Sequence, residues 1–113
     1  MTESINPSTV PAPAGPYSQA VRVSAPGQWL HVSGQIGVRA DGSLADGVEA
    51  QATVAWQNLL ALLDAAGMGV QHLVKLGTFL VDREHLALVN HVRARFLGDA
   101  RPASTLIVAR ELA

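Results

Sequence analysis

The stretch RPASTLIV, residues 101–108, decides how the rest of the chain is read. Proline is tolerated at the start of a strand, and Thr105 to Val108 form an apolar, partly β-branched run, so a strand is expected to open at Pro102. On such a strand Leu106 and Val108 project to one side and Thr105, Ile107 and Ala109 to the other, so both faces need cover. The run LVKLGTFLV at 73–81 behaves alike, with Leu73, Phe79 and Val81 alternating with Val74, Leu76 and Leu80. Two strands apolar on both faces imply a sheet covered twice.

Helical patterns flank the first of them. Asp46 and Glu49 have the spacing of a capping box, and Ala52, Ala55, Trp56, Leu59, Leu62, Leu63 and Ala66 recur at helical intervals up to Gly67. Asp82 is placed to cap a second helix with the apolar face Leu86, Val89, Val92 and Phe96, which Gly98 ends. Two helices cover one face of a small sheet, and nothing else in 113 residues can cover the other. A second copy of the chain is the economical cover.

Upstream, four of the six prolines precede Tyr17, so residues 1–16 read as an extended, irregular arm. A first strand is expected over 19–24, a turn at Pro26-Gly27, and a hairpin partner over 29–37. On that partner Leu30, Val32 and Ile36 share one face, whereas Trp29, His31, Ser33 and Gln35 present donors and acceptors on the other. Gly34 leaves room there for a ligand or another backbone.

Composition removes several classes of function. Eight basic against nine acidic residues give a formal charge of −1 and no field for nucleic acid or anionic lipid. The chain contains no cysteine, which excludes disulfides and thiolate chemistry. Its N-terminus lacks the basic and apolar regions of a secretory signal, and no run approaches the ~20 apolar residues of a membrane span. A cytoplasmic protein is expected. His31, His72, His85 and His91 include no pair at the i, i+4 spacing of a helical metal site, so no metal is expected. There is no G-x-S-x-G elbow, and Gly67-Met68-Gly69 reads as a helix end, not a phosphate cradle.

Four short motifs, in this order and on these elements, point to one family: GPYSQA at 15–20, VSGQIG at 32–37, VN at 89–90 and RPAST at 101–105. With them the chain resembles the Rid family, also called YjgF or L-PSP proteins, from about Ile5 to Leu112. The resemblance implies a single α+β domain over 1–113 with a chorismate-mutase-like (YjgF-type) fold. That fold is a mixed β-sheet with two helices packed on one face, in a homotrimer whose sheets face a central core and whose ligand sites lie between subunits. Archetypal members hydrolyse reactive imines and enamines to a keto acid and ammonia without metal or organic cofactor. The implied catalytic positions are Tyr17, Ser33, Gly34 and Asn90, and the implied substrate-binding positions are Ser104, Thr105 and Leu106.

Three departures from the archetype accompany these matches. Ser104 stands where the archetype has an arginine that clamps the substrate carboxylate, so activity on simple imino acids is expected to be weak and Ser104→Arg to recover part of it. Leu106 replaces a cysteine. The family's final strand, with a glutamate proposed to orient water, would follow Leu112, so the natural chain is expected to continue past Ala113. Arg101 lies three residues from Ser104, roughly 10 Å along a strand and on the opposite face, so it is expected to close the preceding loop and not to replace the clamp. The readings that remain are an imine or enamine deaminase and a trimer that binds a small metabolite without turnover. A nuclease would need a basic surface or a metal, and nucleic acid is not expected as a partner.

Overall fold

The computed structural model describes residues 2–24 and 27–113. Its elements are β1 (Thr2–Ile5), β2 (Ala20–Val23), α1 (Val48–Ala65), β3 (Lys75–Leu80), α2 (Leu86–Leu97) and β4 (Ala103–Val108), with single 3-10 turns at Val70–His72 and Arg83–His85. It is an α+β architecture. Strands β3 and β4 run parallel, from Lys75 opposite Ala103 to Leu80 opposite Val108, with α2 as the crossover between them. Strands β1 and β2 pair antiparallel, and an isolated parallel bridge from Ser18 to Ala103 joins the two pairs, so the pairing is mixed.

Both helices lie on one side of the β3–β4 pair. Trp56 of α1 and Val92 and Leu97 of α2 form the buried core, with Leu59, Leu73, Leu76 and Phe96 packed against it. The Trp56 and Phe96 rings stack at 5.9 Å with an interplanar angle of 3°. The even-numbered strand residues Leu76, Leu80, Ser104 and Leu106 face this core and are buried or half-buried. The odd-numbered face is uncovered: Phe79 and Ile107, directly opposite each other in the register, are 59% and 45% exposed. The two-sided apolar pattern of residues 73–81 and 101–108 is therefore met on one side only within a single chain.

Local chemistry explains where the elements end. Asp82, expected to cap the second helix, instead caps the 3-10 turn before it, accepting a hydrogen bond from the Glu84 N–H at 2.9 Å, while α2 starts behind His85 with no side-chain cap and Gly98 closes it at φ 56°. The start of α1 differs from expectation. Gly47, not Asp46, is the N-cap, and no side chain caps the helix. Gly47 turns the chain at φ 87°, which places Asp46 one residue too early to reach the first amide groups, while Glu49 still meets the positive end of the helix.

The N-terminal third holds two corrections. Residues 2–5, expected to be irregular, form β1 and pair with β2, where Arg22 and Glu3 make a 2.7 Å ion pair. Residues 29–36, expected as the hairpin partner of that strand, form no strand. Their alternation is present in sequence, but β1 already occupies one edge of β2, and Ser18 just upstream engages β4. The segment enters no ladder, and Trp29, Leu30 and Ile36 stay 62%, 40% and 63% exposed. Pro26, half of the expected turn, lies outside the described residues. No helix among the described residues is long and apolar enough to cross a membrane.

Gly37 pins the end of that irregular segment to α1. A Cβ at this position would sit 2.5 Å from the Gln51 Cα, while Asn58 Nδ2 donates to the Val38 carbonyl at 2.8 Å and the Ala45 N–H to the Gly37 carbonyl at 2.8 Å. The obstacle is backbone and cannot swing aside. Gly37→Ala should therefore lose about 1–3 kcal/mol of stability, as overpacked positions do. Gly27→Ala, with nothing within 4 Å of its new Cβ, should stay within about 1 kcal/mol of the parent. Denaturant midpoints of the two variants check the contrast, and equal midpoints would show that α1 yields to the methyl group.

Candidate functional site

Three segments distant in sequence converge at the start of β4. Pro102 fixes the entry of the strand, and its carbonyl accepts the Ser18 N–H at 2.9 Å. Ser18 is 2% exposed; its hydroxyl donates to the Arg101 carbonyl and pairs with Ser4 Oγ at 2.8 Å. The loop carrying Tyr17 is thereby tied to β4. Within that loop the Tyr17 N–H donates to the Gly15 carbonyl at 2.8 Å, and the Tyr17 hydroxyl accepts from the Ala14 N–H at 3.3 Å.

The third segment is α2. Asn90 and Arg93 are three residues apart and share a helix face. Arg93 is only 7% exposed, and its Nη1 donates to Ser104 Oγ at 3.2 Å. Its Nη2 lies 3.8 Å from where a Gly15 Cβ would be, so the guanidinium runs beneath the loop that holds Tyr17. Burial pushes the Arg93 guanidinium below its ordinary pKa, and the nearby Tyr17 phenol opposes that shift. Two polar atoms here are buried without a partner among the described residues: Arg93 Nε and Asn90 Oδ1.

The sequence-expected positions are thus distributed unevenly. Tyr17 and Ser104 meet around Arg93, and Asn90 stands one turn earlier on α2. Leu106 is half-buried on the helix-facing side of β4. Thr105 points to the uncovered side, where its hydroxyl accepts from Lys75 Nζ at 2.6 Å. Ser33 and Gly34 are exposed and, among the described residues, share no hydrogen bond with Tyr17, Asn90 or Ser104. The segment carrying Ser33 borders a shallow groove together with Leu30, His31, Gln35 and Leu62. Arg101 does close its loop: Nη1 donates to the Gly98 and Ala100 carbonyls at 2.7 and 2.8 Å.

Two residues of this cluster were missed in the sequence. Ser18 looked like an ordinary hydroxyl in a loop. Arg93 was not singled out, although its position one residue after Val92 and three after Asn90 was the available signal.

Comparison with known proteins bears on the family and the fold. The family model described as Endoribonuclease L-PSP matches residues 7–113. A RutC family protein from Pyrococcus horikoshii is 32% identical over 114 aligned positions, covering 99% of this chain and 88% of that protein. A 2-iminobutanoate/2-iminopropanoate deaminase from Dermatophagoides farinae is 33% identical over 104 positions, covering 90% of this chain and 79% of the relative. Among solved structures, the Rid-family protein YyfB from Yersinia pestis superposes with a TM-score of 0.87 at 30% identity, over 99% of this chain and 88% of that one.

Proposed function

We propose, because this chain belongs to the endoribonuclease L-PSP (Rid) family, that it hydrolyses a reactive imine or enamine metabolite at a small-molecule site formed between subunits of a homotrimer. In the reaction water adds across C=N, forming a C–O bond while the nitrogen takes a proton. The resulting carbinolamine collapses to a C=O group with loss of ammonia. A relative that covers most of this chain is named as a 2-iminobutanoate/2-iminopropanoate deaminase, which supports the reaction class.

The observation that carries the reading is the convergence of the motif residues Tyr17 and Ser104 around Arg93, one turn from Asn90 on α2. In this reading Tyr17 closes one side of the pocket, Ser33 and Gly34 complete it from a neighbouring subunit, and Ser104 and Leu106 line the floor. Thr105 flanks the site from the other face of β4. Ser104 itself brings no positive charge, so a simple imino acid gains no clamp from this strand. The uncovered pair Phe79 and Ile107 belongs at the centre of the trimer, and the cytoplasm, where amino-acid metabolism releases such imines, is the expected compartment.

One feature favours a second reading, a trimer that binds a metabolite without turnover: the cluster of Tyr17, Asn90, Arg93 and Ser104 contains no carboxylate to orient a water. An assay separates the two. An amino-acid oxidase generates 2-iminopropanoate in the presence of a competing amine nucleophile, and added protein should reduce the trapped product in proportion to its concentration. Unchanged trapping together with measurable binding of the keto acid would establish the binding reading instead.

A further inference from the structure

The tripeptide Ala-Asp-Gly occurs twice in the loop before α1, at 40–42 and at 45–47. An aspartate followed by glycine is open to rearrangement of the main chain, because glycine leaves its own amide nitrogen unshielded and its backbone free to turn. The two glycines even share a conformation, with φ 89° at Gly42 and 87° at Gly47. The copies differ in what their reacting groups already hold.

In the first copy both groups are engaged. The Asp41 carboxylate accepts from the Ser43 hydroxyl at 2.7 Å and from the Ser43 N–H at 2.9 Å, and these bonds hold the carboxyl below its ordinary pKa. The Gly42 N–H donates to the Arg39 carbonyl at 2.9 Å, which protects it from losing its proton. In the second copy, among the described residues, Asp46 makes no side-chain hydrogen bond or ion pair and the Gly47 N–H has no acceptor. Both residues are exposed and border an open cavity of about 690 Å³ with Arg39, Thr53 and Gln57, so water reaches their carbonyls.

We propose that Asp46–Gly47 is a site of spontaneous main-chain modification, at which aspartate converts to isoaspartate through a cyclic imide. The Gly47 nitrogen attacks Cγ of the protonated Asp46 side chain, a C–N bond forms, and the amide proton leaves with the carboxyl OH as water. Water then adds to one of the two imide carbonyls. Opening at Cγ restores aspartate. Opening at the main-chain carbonyl breaks its bond to the Gly47 nitrogen and leaves the chain running through Cβ and Cγ, with a free α-carboxylate. The net change is an isomerisation and needs no other reactant.

The added backbone atom falls between two fixed points. The Ala45 N–H is held by the Gly37 carbonyl at 2.8 Å, and the Gly47 carbonyl accepts a hydrogen bond of the first turn of α1 from the Gln51 N–H at 2.9 Å. The modification therefore separates the start of α1 from the segment that Gly37 anchors.

Each hydrogen bond that the first copy must give up slows it by up to about tenfold, so isoaspartate should accumulate at 46 at least about tenfold faster than at 41. Folded protein is held at neutral pH and physiological temperature, sampled over weeks, then denatured and digested with endoproteinase Asp-N, which cleaves before aspartate but not before isoaspartate. Cleavage before Asp46 should fade while cleavage before Asp41 persists as the internal standard. In chain kept unfolded in guanidinium chloride the two steps should convert at comparable rates, because the tripeptides are identical. Asp46→Glu, which would have to close a larger ring, should remove most of the methyl groups that an isoaspartate-specific carboxyl methyltransferase adds to the aged protein. Conversion at 41 that matches or precedes 46 in the folded chain, or no conversion at 46 while the unfolded chain converts, overturns the assignment. So does unchanged methylation of Asp46→Glu, or the same preference for 46 in the unfolded chain, which would trace it to sequence and not to the fold.

Discussion

Trp56→Ala should lower the free energy of unfolding by about 3–5 kcal/mol, the range for truncating a large buried aromatic residue. Trp56 is 9% exposed and belongs to the core cluster with Val92 and Leu97. Its ring stacks on Phe96 at 5.9 Å, so the substitution removes buried area and also strips one face of a second aromatic residue. Ala52, Leu59 and Leu76 line the space left behind, and helix and strand backbones on both sides limit how far it can collapse. Denaturant unfolding followed by far-UV circular dichroism measures the loss. A decrease below about 1 kcal/mol would mean that α1 and α2 are not packed through this pair.

Ile107→Glu should abolish assembly. Ile107 and Phe79 lie opposite each other on the uncovered face of the parallel pair, 45% and 59% exposed in the single chain. Such partly open apolar side chains cost little by themselves, so the substitution should leave an isolated chain folded. In a trimer with sheets turned inward, each subunit would bury an unpaired carboxylate, at about 3–5 kcal/mol for each copy. Light scattering on a size-exclusion peak should then report three times the chain mass for the parent and one chain mass for the variant. Because the proposed site needs Ser33 and Gly34 from a neighbour, imine hydrolysis should disappear with the trimer. A variant that keeps the parent's mass would move the interface to another face.

How far the sequence could be read follows from what each element depends on. Helices α1 and α2 and strand β4 carry their own signals, from apolar periodicity to Gly98 and Pro102, and all three form, although α2 opens at Leu86, behind a 3-10 turn that Asp82 caps. Strand β1 and the segment 29–36 depend on which backbone becomes available as a partner. Alternation in WLHVSGQI describes a surface that could pair but does not name a partner, and β2 pairs with Thr2–Ile5. At the site, Tyr17, Asn90 and Ser104 were legible because their short motifs are specific. Arg93 was hidden because a charge beside an apolar helical face is normally read as solvent-directed, and only the approach of β4 and the Gly15 loop shows that it is enclosed.

The bond from Ser18 to the Arg101 carbonyl spans 83 residues of chain. Ser18 emerges from the ribosome well before its partners at 101–103, so β1, β2 and the Tyr17 loop cannot dock on β4 until those residues have been made. Closing so long a loop is entropically costly, and that cost falls due after α1, α2 and β3 have had time to associate. The Tyr17 loop therefore acquires its place after the elements that precede β4 in the chain, and a nascent chain that stops short of residue 101 has its helices but not this junction.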